Sequence, residues 1–89
     1  MKYIHRRDVI SGRLDEELVM MDIQKGKYFS LNPVATRIWD ILEKPVSNDE
    51  LLRILLEEYE VTEETCRREV GEYLAEMENL GLVLTVETE

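Results

Sequence analysis

One junction constrains this chain more than any other: the stretch Lys27 to Trp39, KYFSLNPVATRIW, where a strand must give way to a helix. Tyr28, Phe29 and Leu31 form an apolar, β-favouring run. Asn32 can then cap the free amides of a helix whose first residue, Pro33, has φ already fixed near the helical value. Beyond Pro33 the apolar positions Val34, Ala35, Ile38, Trp39, Ile41 and Leu42 recur at helical spacing, so strand and helix can share one core.

The strand before this junction closes a three-stranded meander. Val9 and Ile10 mark the first strand, over about residues 6–12 and ending near Gly12. Leu18 to Ile23 is a nearly continuous apolar run within a second strand over about 17–24, suited to a central position covered at least in part on both faces. Gln24-Lys25-Gly26-Lys27 makes a tight turn with Gly26 free to take positive φ. The third strand, 27–31, is left at the sheet edge. Three helices follow. The first spans about 33–43 and stops before Pro45, since the residue preceding proline is pushed out of the helical region. Ser47-Asn48-Asp49-Glu50 reads as a capping box for a second helix over about 48–59. Thr62 can cap a third over about 63–80, with Val61 stapled onto Cys66 and Gly81 at its C-terminal end. The order β-β-β-α-α-α gives a winged-helix-like α+β fold, a single domain over residues 1–89.

Eighty-nine residues bury a little over ~60% of the unfolded surface, enough for a modest core but no deep active-site cavity. The single cysteine, Cys66, excludes an internal disulfide, and no signal peptide or membrane span is visible, so a cytoplasmic protein without membrane contact is expected. Residues 1 to 27 carry six basic side chains (Lys2, Arg6, Arg7, Arg13, Lys25, Lys27) against five acids, while the remainder carries five against fifteen. The net charge of −9 repels nucleic acid. A DNA-binding winged helix would need a basic third helix, whereas Thr62 to Leu80 holds six glutamates and only Arg67 and Arg68, the one pair that supports a winged-helix DNA-binding regulator as an alternative. His5 and Cys66 are far apart in sequence, the glutamates form no ligand motif, and there is no glycine-rich phosphate loop. The chain is therefore expected to be no enzyme and to need no metal or cofactor.

What remains is recognition by backbone. An edge strand Lys27, Tyr28, Phe29, Ser30, Leu31 with one charge and no proline is thinly protected against pairing. An extended peptide could add to it, its alternate side chains entering pockets. Gly71, in the middle of a helix, costs about 1 kcal/mol relative to alanine, which suggests close approach there, although packing on the first helix would explain it equally. Arg67, Val70, Gly71 and Leu74 would form the floor and basic rim of the groove. Which of Tyr28 and Phe29 faces the core is left open by alternation alone.

The pattern Gly26, Lys27-Tyr28, Leu31-Asn32, Ala35 and Ile38-Trp39 resembles the PqqD-like proteins, the peptide-binding modules of ribosomal peptide natural-product pathways, over roughly Val9 to Val83. Among these RiPP recognition elements, a free-standing module of this size looks most like the leader-binding protein of lasso-peptide biosynthesis. The resemblance implies a precursor's leader peptide bound as an added strand beside the third strand, against the third helix. It implies a partner enzyme too: a cysteine-type leader peptidase followed by a cyclase or, as an alternative, a radical SAM enzyme served by a PqqD-type chaperone. The leader sequence, the product class and the oligomeric state are not given by the chain.

Overall fold

A computed structural model describes residues 1–87 of the chain. The junction at Asn32 is built as its residues require. Strand β4 (Lys27–Leu31) ends at Leu31, Asn32 stays extended, and helix α1 (Pro33–Ile41) starts at once. The Asn32 side-chain oxygen accepts the Ala35 amide at 2.8 Å, satisfying one of the amides that a helix start leaves without a partner. One turn further on, the buried Thr36 hydroxyl donates to the Leu31 carbonyl at 3.0 Å and accepts from the Leu18 amide at 3.1 Å. A single side chain thus ties α1 to β4 and to strand β3 (Glu17–Asp22). Helix α2 (Asn48–Glu58) starts on a complete capping box, with Ser47 and Glu50 each accepting the other's amide. Helix α3 (Glu63–Asn79) starts on Thr62, whose hydroxyl accepts the Thr65 amide at 3.1 Å. Val61, ahead of that cap, is left 42% exposed.

The expected meander is present as an antiparallel sheet in the order β2 (Ile10–Leu14), β3, β4, but its first strand is displaced from the expected 6–12. Strand β2 runs Ile10–Leu14 and turns at Asp15-Glu16, with Leu14 opposite Glu17 and Asp15 at a φ of 59°. Aspartate tolerates this left-handed conformation better than most residues, so the turn falls there and Gly12 lies inside a strand. The second turn is where Gly26 puts it, at a φ of 64°.

Three further strands form a second sheet that local patterning did not indicate: β1 (Lys2–His5), β5 (Val46–Ser47) and β6 (Val83–Val86), in the order β5-β1-β6. Arg6, expected in the first strand, crosses between the sheets. Its amide donates to Leu82 O at 2.9 Å, and its guanidinium pairs with Asp8 and with Asp22, a carboxylate that is 1% exposed. A carboxylate so buried requires a cation and hydrogen bonds, and Asp22 also accepts the Lys25 amide.

The core lies between the β2-β3-β4 sheet and the helices. Leu18 and Met20 of β3 meet Ile38, Trp39 and Leu42 of the α1 segment, Leu51 and Leu55 of α2, and Val70, Leu74 and Met77 of α3. Trp39 is 6% exposed and stacks on the His5 ring, with centroids 4.1 Å apart and planes within 5°. Cys66 is buried in the same core, and burial pushes its thiol up from the ordinary cysteine range.

Candidate functional site: the groove beside β4

Among the described residues strand β4 pairs with β3 on one side only, which leaves its other edge free. Alternation turns Leu31 inward, with Phe29 partly buried against the core, and leaves Tyr28 75% exposed and Ser30 exposed. That answers which aromatic faces the core. Across from the free edge, α3 presents Tyr73, Glu76, Met77 and Leu80, and together they enclose a groove of about 320 Å³ with Ala35 of α1 also in its lining.

Both ends of the groove are defined. At one end the Asn32 side-chain amide donates to the Tyr73 hydroxyl at 3.0 Å, bridging the β4–α1 junction to α3. Asn32 therefore caps α1 with its oxygen and holds α3 with its nitrogen. At the other end Gly81, at a φ of 77°, lies under the β3–β4 turn, where a methyl on it would meet Lys25 Nζ at 3.2 Å. Helix and strand thus run in opposite directions. The seven-residue step from Tyr73 to Leu80 spans about 10 Å at 1.5 Å per residue, and the three-residue step from Tyr28 to Leu31 spans about 10 Å at 3.3 Å per residue. The groove can read an extended segment of about four residues.

The expected α3 residues are not the ones in this groove. Val70 and Leu74 are 2% and 3% exposed, within the core. Arg67 is on the surface near the start of α2, beside Asp49 and Glu63. Gly71 is exposed, and a Cβ added there would meet nothing within 4 Å. Packing on α1 therefore does not explain the glycine. The reason is helix rotation: two residues at about 100° each put Gly71 roughly 200° from Tyr73 around the axis, so the two face opposite ways. In the sequence Tyr73, Met77 and Leu80 show only as apolar positions at helical spacing, and nothing local marks Asn32 as a partner of Tyr73.

A larger concavity of about 710 Å³ lies elsewhere, between the β1–β2 connection and α1. Its arginines are engaged within the fold: Arg6 with Asp8 and Asp22, Arg13 with Asp40, Arg37 with Glu58, and Arg7 with the Glu43 carbonyl. Charged and polar side chains make up most of its lining, with Val9, Leu18 and Trp39 among them. His5 and Cys66 do not meet in a catalytic pair, since one stacks on Trp39 and donates from Nδ1 to Arg6 O while the other is in the core. Among the described residues, no three His, Cys, Asp or Glu side chains are grouped to hold a metal ion, and no helix is long and apolar enough to cross a membrane.

Residues 17–83 match the family model described as coenzyme PQQ synthesis protein D (PqqD). The chain belongs to the PqqD family. The matched span contains both walls of the groove, β4 and α3, whereas the PqqD-family match leaves out β1 and β2. Among solved structures, the chain is similar to TbiB1 in complex with the TbiA(beta) leader peptide, at 29% identity and a TM-score of 0.82, over 96% of this chain and 99% of that one. It shares its fold with a lasso peptide synthetase B1 complexed with the leader peptide, at 24% identity and a TM-score of 0.80, over 94% and 99% of the two chains. No curated protein sequence matches the chain.

Proposed function

We propose that this chain binds the leader region of a ribosomally made precursor peptide as a strand added to β4, and presents it to a processing enzyme. The observation that carries the reading is the free edge of β4 facing α3 across a groove of about 320 Å³. Main-chain pairing gives such a complex affinity without regard to sequence, and the side chains that alternate into the groove give it selectivity. Phe29, Leu31, Met77 and Leu80 favour apolar leader residues there. The likeness to TbiB1, a chain solved with a leader peptide, supports the same use of the same fold.

The resemblance of a free-standing module of this size to the leader-binding proteins of lasso-peptide biosynthesis favours a lasso-type system, in which the partners are a cysteine-type leader peptidase and a cyclase, over hand-over to a radical SAM enzyme. The module itself does no chemistry and works in the cytoplasm, where such precursors are made. A DNA-binding role has no support from α3, whose exposed side is acidic.

Titration of the purified chain with the leader peptide of its own precursor tests the reading. Micromolar to nanomolar affinity is expected, about −8 to −12 kcal/mol, with weak dependence on salt because backbone pairing and apolar contact dominate. Tyr73→Ala opens one end of the groove and removes part of its wall, and is expected to weaken binding about tenfold or more. Absence of leader binding contradicts the proposal, and so does a steep loss of affinity with salt, the signature of a phosphate binder.

A further inference from the structure

The groove beside β4 is apolar or neutral except at one place. Among the described residues that line it, Glu76 alone carries a charge. It is exposed in the empty groove. It also has no basic partner: Asp40 and Glu58 each meet an arginine, but no ion pair among the described residues includes Glu76. Its place on α3 is central. Glu76 is about 4.5 Å along the helix axis from Tyr73 at one end of the groove and about 6 Å from Leu80 at the other, so it faces the middle of a bound segment and not its ends.

A peptide that fills the groove takes water away from this carboxylate. A carboxylate that loses water without gaining a cation weakens the complex, and the chain itself supplies no cation there. The complement therefore has to come from the peptide. Room for it exists, because Tyr73 and Glu76 also line a second concavity of about 310 Å³, which Glu69 and Glu72 complete. Those two shared residues form the boundary between groove and concavity. Neither lining contains a basic residue, so the end of a long cationic side chain that reaches this boundary meets Glu76 with no like charge against it.

We propose that Glu76 is a specificity-determining residue of the groove, which selects a leader peptide with a lysine or arginine facing the middle of α3 and rejects one with an acidic residue there. The proposal rests on the leader-binding reading and adds a charge rule to it. Apolar side chains fill the groove, one basic side chain pairs with Glu76, and a misplaced acid is excluded by repulsion and by the unpaired carboxylates it would leave. A single pair at the lip of the groove is worth little compared with the main-chain ladder, so leader binding as a whole stays only weakly dependent on salt.

The test is a double-mutant cycle on the full chain. The ligand is the leader peptide of its own precursor, synthesised as it stands and with each lysine and arginine replaced in turn by methionine, a neutral side chain of similar length. The protein variants are Glu76→Gln and, as a control for overall charge, Glu78→Gln, an exposed position two residues on that lines neither concavity. Circular dichroism and melting curves check that each variant is folded. With wild type, one methionine replacement is expected to weaken binding about fivefold. With Glu76→Gln the same replacement is expected to change nothing, whereas Glu78→Gln keeps the full effect. Glu76→Lys is expected to reverse the preference and to bind a leader with glutamate at that one position more tightly than the natural leader. A leader that binds wild type tightly without any lysine or arginine overturns the proposal. So does a Glu76→Gln variant that weakens every peptide alike, which assigns the carboxylate to the peptide main chain. An equal loss in Glu78→Gln overturns it in favour of the general field of an acidic body. Absence of leader binding to wild type is a different result and refutes the leader-binding reading on which the proposal rests.

Discussion

Gly71→Ala is expected to stabilise this protein and to leave leader binding untouched. Position 71 is in the middle of the seventeen-residue α3, its backbone is not in the positive-φ region, and a Cβ added there meets no atom within 4 Å. No steric cost opposes the gain in helix propensity, about 0.8–1.0 kcal/mol for alanine over glycine in a helix interior. For a chain of this length about 1 kcal/mol shifts the melting temperature by roughly 4–8 °C. The matched control is Gly81→Ala. Gly81 is at a φ of 77°, with Lys25 Nζ 3.2 Å from the added methyl, and the left-handed conformation costs an alanine about 1–2 kcal/mol. Urea denaturation of wild type and both variants should therefore move the midpoint up for one alanine and down for the other, at unchanged slope. A destabilised Gly71→Ala means that something packs against that face of α3. A stable Gly71→Ala that binds leader poorly means that the groove extends to residues 67–74, and the placement against Tyr73, Met77 and Leu80 is then wrong.

Trp39→Ala removes a core ring and its stack on His5, at a cost of about 3–5 kcal/mol out of a total of order 5–15 kcal/mol; a melting curve should show a large fall, and leader affinity should decline only as the folded fraction does. Stability should also fall in acid. The Arg37 guanidinium holds the Glu58 carboxyl below the ordinary range, and Ser47 does the same for Glu50 in its capping box. A carboxyl depressed by folding contributes above its unfolded value of about 4.3, and the contribution is lost as pH falls through the lower folded value. Melting temperature measured against pH should be flat with respect to these groups above about pH 5 and decline below it, and Glu58→Gln should remove part of the slope.

How much of this was legible in the chain depended on how local each instruction is. Asn32-Pro33, Ser47 with Glu50, Thr62, Gly26 and Gly81 act on residues within one turn of themselves, and each does in the structure what its type and position indicate. The second sheet could not be read that way. Lys2–His5 pairs with Val83–Val86, nearly the whole chain away, and with a two-residue strand at Val46–Ser47 whose serine already reads as a helix cap. The first strand of the meander was displaced because Gly12 looks like a turn residue and Asp15-Glu16 does not, although Asp15 takes the left-handed turn conformation. The edge strand was legible from Tyr28 to Leu31. The opposite wall was not, because α3 has apolar residues on two adjoining stripes, and their rotation about the helix axis is set by packing with α2 and the sheet rather than by α3 itself.

The central claim is that a leader peptide adds to β4, and amide hydrogen exchange on the complex tests it most directly, because the β2-β3-β4 sheet has two free edges of similar length. The account predicts that leader binding slows exchange at alternate amides within Tyr28–Leu31, those directed away from β3, while amides of Ile10–Leu14 keep their rates. Protection gained along Ile10–Leu14, or at neither edge, would contradict it.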